Sequence, residues 1–568
     1  GRKPGLHSPG QPGPATDRLA RGSEGQVYGP FDEAEIATRE GEVIAALEGE
    51  GFVQTPNGEL LQRLAGASAK DRALAALRLG WRGAEEAIPR LIALTESPGE
   101  ELCSVLDALG MIGNESAIAA VRPFAARKLL SRRRSAVEAL IRLEDHETLA
   151  AVRDREHARL PLNVQEALAG EDGAAIADAV LSAEAKKRGV SLDVLYERNE
   201  AHCTAAVRRA VLKLDLTHPS IWRYAKSVFK RSMLRGDAKT FGLFAYRCER
   251  AGITGGAVHT VKSGYDGKSR PMPILSRKTS NKMRSAGWRY LRDVAQWRPE
   301  AYTLFASEVL LHYRDSDGIK PERRAGAFAD CFYFNRILYG NGDRLEVDWR
   351  SLRHRFKNAQ SVHPSGSREE PFAELWDSTP RPFLRLATRA RHLEVQRFAL
   401  AGLVRHPEVL HEATVEALLR LLNVPLPTAA PLVVAELERR FDPRAPDWSL
   451  VEILLGRDEE PVIELLIRWL DETRDQWCPV PERVARFLES KAVSVQRRVA
   501  AWVNEAPYPE GSAVPLMELL RAKLSGPEST EGSSAAIASV LAGTLRSTLL
   551  AHTDLEFDLA LIADGSPT

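Results

Sequence analysis

The sequence predicts an all-α fold, an α-solenoid built from degenerate helical-hairpin repeats. Its 568 residues are too many for one ordinary hydrophobic core, so the chain must form several domains or a repeat array. Hydrophobic residues make up 44% and charged residues 27%, which is the composition of a chain that folds. A glycine-containing pattern also recurs at the distance of one helical hairpin, and this favours the array.

The amino-terminal residues 1–25 are rich in Pro and Gly, which predicts a disordered leader. A first helix is expected from Asp32 to Leu47, because Asp32 is a suitable N-cap and Ile36 and Val43 begin an apolar stripe at helical spacing. The sequence has no run of about eighteen apolar residues, so we expect neither a membrane span nor an export signal.

The repeat is clearest between residues 79 and 121. The pattern LGxxGxxxAIxxL at 79–91 recurs as LGxxGxxxAIxxV at 109–121, and a looser copy spans 137–152 with Glu144-Asp145 in place of the glycine turn. Each copy predicts an outer helix, a turn with positive φ, and an inner helix that begins near Ala87 or Ala117. These residues resemble the short bacterial HEAT-like repeats, and the resemblance implies an interaction surface over residues 26–215.

The carboxy-terminal part of the chain also predicts helices. Val395-Gln-Arg and Val495-Gln-Arg each open an amphipathic helix, and Pro residues between 425 and 446 separate further apolar segments. These echoes predict more HEAT-like repeats over residues 366–524. Residues 525–568 predict a polar loop, one last helix from Ala535 to Leu550, and a tail.

Charge is uneven along the chain. Lys and Arg number 78 against 77 Asp and Glu, so the whole molecule has no electrostatic reason to seek nucleic acid or an acidic membrane. Between Pro219 and Arg298, however, eighteen basic residues face four acidic ones, and ten aromatic residues lie among them. Within this central region, 216–365, the Gly- and Pro-rich stretch 255–276 excludes a continuous helix and predicts an exposed basic loop or hairpin.

Two interpretations of the central region stay open. A basic groove with aromatic platforms would hold single-stranded nucleic acid. Alternatively, the aromatic side chains belong to the core, and the basic side chains form a solvated face and a loop. Under the first interpretation, the nucleic-acid-binding candidates are Lys226, Lys230, Arg231, Arg235, Lys262, Lys268, Arg270, Arg277, Lys278, Lys282, Arg284, Arg289 and Arg292.

A family resemblance covers about residues 220–410. Phe229-Lys-Arg-x-x-Leu-Arg, Ser276-Arg-Lys-Thr, Trp288-Arg-Tyr-Leu-Arg and Leu375-Trp-Asp resemble the helical region of bacterial WGR-associated, molybdate-metabolism-regulator-like proteins. The resemblance implies a regulatory or DNA-associated role without established catalytic residues. The family owes that role to its WGR module. Here Gly80-Trp-Arg-Gly lies inside a repeat turn, outside the mixed β context that such a module requires.

The sequence offers little catalytic or metal-binding chemistry. The thirteen His residues form no HExxH motif, and the five Cys residues are far apart and never in a CxxC pair. We therefore expect no disulfide, no metal, no cofactor, and a cytoplasmic, reducing environment. One enzymatic hypothesis remains, a helical-repeat DNA-repair enzyme in which Asp237 or Asp293 lies beside Trp222, Trp288 and Arg289. Asp237 is more simply explained as a helix cap.

The sequence thus predicts a non-catalytic scaffold that binds a protein partner in the solenoid groove. Solenoids expose long grooves, and the acidic flanks and basic centre suit electrostatic matching. The alternative is a nucleic-acid-associated regulator that binds through the central basic region, and a DNA-repair-type enzyme is the third hypothesis. Pairing of the central basic residues with acidic residues of other repeats would remove most support for the nucleic-acid alternative.

Overall fold

The computed structural model describes residues 55–66, 68–127, 130–253, 258–262, 269–273, 277–318, 328–348, 352–358, 368–524 and 532–552. The predicted leader, the helix expected at 32–47 and much of the stretch 255–276 lie outside these ranges. Within them the chain is all-α, as predicted, apart from two short β-ribbons. It divides into two compact units, one that ends at Phe398 and one that begins at Ala399.

The first unit begins with helix α1 (Asn57–Leu64) and three consecutive helical hairpins. The hairpins join α2 (Ala69–Trp81) to α3 (Ile88–Glu96), α4 (Leu102–Ile112) to α5 (Ile118–Ala125), and α6 (Leu130–Arg142) to α7 (His146–His157). Helix α2 packs on α4, α4 packs on α6, and α3 packs on α5. Helices α3 and α5 start directly after 3-10 turns that end at Ala87 and Ala117, where the repeated pattern predicts them.

The three hairpin turns share one backbone conformation. Gly83 and Gly113 have positive φ angles of 63° and 78°, and Glu144 has a φ of 58° at the same place in the third turn. Asp145 then caps α7 by accepting a hydrogen bond from the Thr148 backbone N–H at 3.4 Å. Glu144-Asp145 therefore replaces the glycine turn, as the third copy of the pattern predicts.

The other repeated glycine sets the spacing between helices. A Cβ atom at Gly80 would lie 2.7 Å from the Cα of Ala108, and one at Gly110 would lie 2.5 Å from the Cα of Ala139. Cβ atoms do not approach backbone atoms so closely, so only glycine allows α2, α4 and α6 to pack at this distance.

The rest of the first unit contains further helices and the two ribbons. Strand β1 (Val258–Lys262) pairs antiparallel with β2 (Ser269–Pro273), and β3 (Leu345–Asp348) pairs with β4 (Arg353–Phe356). The first ribbon is the hairpin that the stretch 255–276 predicts as one of two alternatives. The helices are α8 (Leu162–Leu168), α9 (Gly173–Ser182), α10 (Ala185–Arg198), α11 (Ala201–Lys213), α12 (Pro219–Arg235), α13 (Ala238–Ile253), α14 (Arg277–Trp297), α15 (Pro299–Leu310), α16 (Phe332–Tyr339), α17 (Ala373–Ser378), α18 (Pro382–Arg389) and α19 (Leu393–Arg405), within which the unit ends.

Two packing relationships in the first unit position the candidate sites. Helices α9, α11, α13 and α15 pack one on the next and form a row. The basic central segment turns back on the amino-terminal hairpins, because α12 packs on α4 and α6, and α14 packs on α2. The central region and the first hairpins therefore belong to one compact unit.

The second unit is helical throughout its described residues. Its helices after α19 are α20 (Glu408–His411), α21 (Val415–Leu422), α22 (Ala429–Arg440), α23 (Trp448–Leu454), α24 (Glu460–Glu472), α25 (Arg474–Trp477), α26 (Pro481–Phe487), α27 (Val493–Asn504), α28 (Glu510–Leu524), α29 (Ser533–Ala542) and α30 (Arg546–His552). The single last helix predicted over 535–550 is wrong, because the helix breaks at Gly543. The Asn504 side chain holds this break by accepting the Thr544 backbone N–H at 2.9 Å.

The two Val-Gln-Arg segments make the same kind of hydrogen bond. The amide of Gln396 donates to the Ala390 carbonyl at 3.0 Å, and the amide of Gln496 donates to the Ser490 carbonyl at 2.7 Å. Each glutamine thus reaches back six residues to the loop before its helix, α19 or α27. The two segments are therefore alike in structure as well as in sequence.

A recurrent arginine contact joins neighbouring hairpins. The last carbonyls of a helix have no partner within the helix and carry its negative dipole end, so a guanidinium group is well placed there. In each case the arginine lies 29 to 33 residues after the carbonyl that it contacts. The contacts are Arg90 to Leu61, Arg142 to Gly110, Arg155 to Ala125, Arg247 to Leu214 and Arg440 to Leu410.

Membrane-spanning potential is limited among the described helices. None of them is long and apolar enough to cross a bilayer by itself, although the bent pair α29 and α30 meets the length and composition requirement jointly.

We expect Gly110→Ala to destabilise the first unit by about 1–3 kcal/mol, because the new methyl group must push α4 away from α6. Gly58→Ala is the matched control. A Cβ at Gly58 meets nothing within 4 Å, so this change should be neutral or stabilise the protein by up to about 1 kcal/mol. Urea unfolding followed by circular dichroism measures both. Equal midpoints for the two variants would contradict the proposed close packing.

Candidate functional site

Buried ion pairs hold the central segment on the first hairpins. Arg231 is 3% exposed, and its guanidinium donates to Glu138 of α6 at 2.5 Å and to Asp193 of α10 at 3.0 Å. Arg235 donates to both oxygens of Glu138, at 3.0 and 2.8 Å. Arg134 of α6 adds a hydrogen bond of 2.6 Å to Asp193. One buried carboxylate of α6 therefore binds two guanidinium groups of α12.

Two more ion pairs join the same parts of the chain. The Lys230 ammonium of α12 lies 3.3 Å from the buried carboxylate of Asp107 on α4. Arg78 of α2 donates to Asp293 of α14 at 2.7 Å, and both side chains are buried. Each of the first three hairpins thus places a charged residue opposite a charge of the central segment.

A separate buried carboxylate organises the region around α16. Glu249 accepts hydrogen bonds from the Tyr313 hydroxyl at 2.7 Å and from the Tyr333 backbone N–H at 3.2 Å. The Arg284 guanidinium lies 3.8 Å from it, and Arg284 itself is 5% exposed. This acid of the central region thus stabilises local packing.

The pKa values of these carboxyls depend on how many cations each one contacts. Burial alone would raise the pKa of Glu138, but the charges and hydrogen bonds of Arg235 and Arg231 hold it below its usual value. Burial raises the pKa of Asp293 and of Glu249, and in each case nearby arginine charge opposes the rise without cancelling it. Glu138 is therefore the anion that fixes α12.

The structure places the nucleic-acid-binding candidates in different environments. Arg231, Arg235 and Arg284 form ion pairs with the buried carboxylates described above. Lys226 and Lys230 are exposed on α12, and Lys230 also reaches Asp107. Two candidates on α14, Arg289 and Arg292, are half-buried. The side chains of Lys262, Lys268, Arg270, Arg277, Lys278 and Lys282 lie outside the described part of the chain, so a shared basic face there stays a prediction.

Many aromatic residues of the central region belong to the core. Trp222, Phe229, Phe241 and Tyr290 are each less than a tenth exposed. The rings of Phe229 and Phe241 stack at 5.5 Å, and Phe241 lies 5.1 Å from Tyr290. These rings follow the second interpretation of the sequence, in which the aromatic stripe is packing rather than a platform for bases.

The two carboxylates considered for DNA repair have structural contacts. Asp237 caps α13 by accepting the Thr240 backbone N–H at 3.1 Å, as the cap interpretation predicts. Asp293 borders a cavity of about 20 Å³ that Trp81 and Tyr290 also line. A cavity of that size holds about one water molecule. It has no room for a flipped nucleobase, whose extrusion that chemistry requires.

Sequence reasoning missed a cluster of metal-ligand residue types at the start of α11. Ligand atoms of Glu200, His202 and Cys203 lie within 4.8 Å of one another. Arg198 already donates to both oxygens of Glu200, at 2.7 and 3.1 Å. Burial raises the pKa of the Cys203 thiol to about 12, so the thiol is protonated at neutral pH and donates to Glu200 at 3.2 Å. The cluster therefore forms an ion-paired hydrogen-bond network, which a metal would have to disrupt. The spacing Glu-x-His-Cys is its only sequence signal.

Three histidines are neutral at physiological pH, of which His354 and His392 are buried and His312 is half-buried. Burial lowers the pKa of His354 to about 3 and that of His312 to about 4, and nearby arginine charges lower both further. Burial also lowers the pKa of His392. Neither ring nitrogen of His354 has a hydrogen-bond partner in the described structure. The imidazoles of His354 and His392 are core side chains.

An open groove crosses the row formed by α9, α11, α13 and α15. Its volume is about 550 Å³. The lining residues include Arg208, Arg209 and Leu212 of α11, Lys239 of α13, Glu308 of α15, and His312. Sequence reasoning missed this site, because its residues come from four helices and only Lys239 and Leu243 lie within the basic central segment.

Comparison with known proteins assigns no family. No protein-family model matches the chain, and no curated protein matches it significantly in sequence. Its function is therefore inferred from the residues and geometry described above.

We expect Glu138→Ala to destabilise the first unit by about 3–5 kcal/mol, because two buried guanidinium groups lose their shared carboxylate. The control is Glu59→Ala, which removes an exposed pair with Arg63 and should cost less than about 1 kcal/mol. Urea unfolding of the full chain measures both losses. A Glu138→Ala cost no larger than that of the control would show that the pair does not hold α12.

We expect the stability of the first unit to fall as the pH falls from about 6.5 to 4. In this window the unfolded chain binds protons that His354 and His312 do not bind when folded, and each histidine contributes about 1.4 kcal/mol per pH unit. His354→Leu should reduce the dependence of the unfolding free energy on pH by the contribution of one histidine. His146 is exposed, and His146→Asn should leave this dependence unchanged. The measurement is urea unfolding at a series of pH values. An unchanged slope in His354→Leu would contradict the neutral, buried imidazole.

Proposed function

We propose that this protein is a non-catalytic, HEAT-like α-solenoid scaffold that binds a protein partner in a reducing, cytoplasmic environment. The repeated hairpins support the solenoid assignment, because their turns, helix spacing and arginine contacts recur with one period. All five cysteines are free thiols, which fits a reducing compartment.

The observation that carries the proposal is the open groove across α9, α11, α13 and α15. Rows of packed helices in repeat proteins present such grooves as binding surfaces. Ionisable groups with shifted pKa values, such as Glu138 and Glu249, are instead buried in contacts that hold helices together. Shifted pKa values therefore point here to structure rather than to catalysis.

The nucleic-acid alternative is now confined to a smaller set of residues. Arg231, Arg235 and Arg284 have internal partners, which accounts for part of the basic excess of the central segment. The alternative would use the basic residues of the β1–β2 ribbon and the start of α14. The resemblance of residues 220–410 to WGR-associated proteins, which we retain as a proposal, would suit a regulatory role of either kind.

Nucleic-acid binding across a salt series separates the two functions. We expect the wild-type chain to bind labelled single- and double-stranded DNA and RNA weakly or not at all from about 50 to 300 mM salt. The test variant changes Lys262, Lys268, Lys278 and Lys282 to Glu, and Arg284 is left intact because it is buried. The matched control changes four exposed residues outside the region, Lys70, Lys186, Arg420 and Arg497, to Glu.

Tight binding that falls steeply with salt and disappears only in the test variant would favour the nucleic-acid regulator. The scaffold proposal makes the opposite prediction for affinity capture from nuclease-treated extract of the native cells. There we expect a protein to remain bound in stoichiometric amount. Recovery of no protein under these conditions would overturn the proposal.

A further inference from the structure

The groove across α9, α11, α13 and α15 carries an excess of available positive charge. Arg209 and Lys239 are exposed, and neither has a hydrogen bond or ion pair within the described part of the chain. Arg208 is half-buried, and its only contacts there are long ones, at 3.4 Å to the Thr240 hydroxyl and 3.8 Å to Asp237. At least two of the three cations are therefore open to a ligand.

The acidic residues of the groove lining have partners already. The carboxylate of Asp172 caps α9, accepting the backbone N–H groups of Ala174 at 2.8 Å and Ala175 at 3.4 Å. The carboxylate of Glu308 is 4% exposed and accepts from Arg385 at 2.6 Å. Neither acid is placed to neutralise Arg209 or Lys239, so the groove attracts anions.

The groove also offers apolar surface between its cations. Leu212 lies on α11, less than one helical turn after Arg209, and 51% of it is exposed. Leu243, one turn after Lys239 on α13, is buried at the base of the groove. A single exposed leucine is ordinary. An exposed leucine in a groove that also holds unpartnered cations can anchor a ligand that is both apolar and acidic.

Three further arginines add positive charge around His312, which lines the groove. The His312 ring is half-buried and stacks on Tyr246 at 5.9 Å. Burial, with the charges of Arg385, Arg391 and Arg314, holds the pKa of His312 at about 4. An anion in the groove would oppose these charges.

We propose that this groove binds an acidic segment of a protein partner, whose Asp or Glu side chains pair with Arg208, Arg209 and Lys239 while an apolar side chain covers Leu212. The inference rests on the proposed scaffold function and names the chemistry of its partner. A protein segment fits better than nucleic acid, because no Phe, Tyr or Trp lines the groove among the described residues to stack on bases.

The test uses the full chain and a fluorescein-labelled peptide of twelve or so residues, in which four Glu or Asp residues flank one Leu. Fluorescence anisotropy should detect binding that weakens with salt. Replacing the four acids by Gln and Asn should weaken it at least about tenfold, because the charge pairs are lost. Arg209→Glu with Lys239→Glu should produce a similar loss. Lys186→Glu with Lys187→Glu, on exposed residues outside the groove, should leave the affinity unchanged.

Two further binding measurements test whether the peptide lies in the groove. Leu212→Ser should weaken binding about threefold to tenfold through loss of apolar contact, and this half-exposed site tolerates the change without unfolding. A charge-swapped peptide, with Lys in place of each acid, should bind the Arg209→Glu, Lys239→Glu variant better than it binds the wild-type protein. This reciprocal rescue requires that the peptide carboxylates and the groove cations face each other.

The outcomes separate this inference from the proposed function. Equal binding of the acidic and amide peptides, or tighter binding of poly(dT) or inorganic polyphosphate than of the acidic peptide, would overturn the acidic-segment proposal. So would capture of the same cellular protein, in the same amount, by wild type and by the Arg209→Glu, Lys239→Glu variant. In that last case the scaffold function would stand, with its partner bound elsewhere. Capture of no protein by wild type would instead overturn the scaffold function itself.

Discussion

The buried pair of Glu138 with Arg231 and Arg235 is the interaction on which the arrangement of the first unit depends. A single carboxylate or guanidinium group in this position would be strongly unfavourable, because burial removes its hydration. The carboxylate and the two guanidinium groups can be buried because they form ion pairs with one another. That requirement fixes α12 on α6 at one register, and α10 joins through Asp193. The pair of Arg78 and Asp293 applies the same constraint to α14 on α2.

This arrangement explains why most of the described basic residues of the central segment do not line the groove across α9, α11, α13 and α15. The basic excess of residues 219–298 suggests a polyanion partner, but several of its cations are internal counterions of α4 and α6. Glu249, Asp293 and His354 likewise lie in the core, where burial shifts their pKa values. The groove cations Arg209 and Lys239 stand out because no acid among the described residues pairs with them.

The parts of the structure that depend on local sequence could be predicted. Glycine at positions 83 and 113 favours positive φ, and the recurrence of Gly80 and Gly110 gave the hairpin period, so the first repeats follow from the pattern. The partner of Arg231 could not be predicted, because Glu138 is 93 residues away and sequence periodicity carries no information on such pairing. For the same reason the groove could not be predicted, because its residues come from four helices that are distant in sequence. The cluster of Glu200, His202 and Cys203 is local, but its spacing matches no established metal motif.

The arginine contacts between hairpins bear on how such an array can change in length during evolution. Each of these five guanidinium groups caps a helix end that lies 29 to 33 residues earlier, so the contact joins a helix to one that precedes it by about the length of a hairpin. Insertion of a few residues between the two would separate donor from acceptor and leave the helix end uncapped. Insertion of a whole hairpin would place another arginine and another helix end at a similar separation. These contacts therefore tolerate changes of length by whole hairpins better than changes by a few residues.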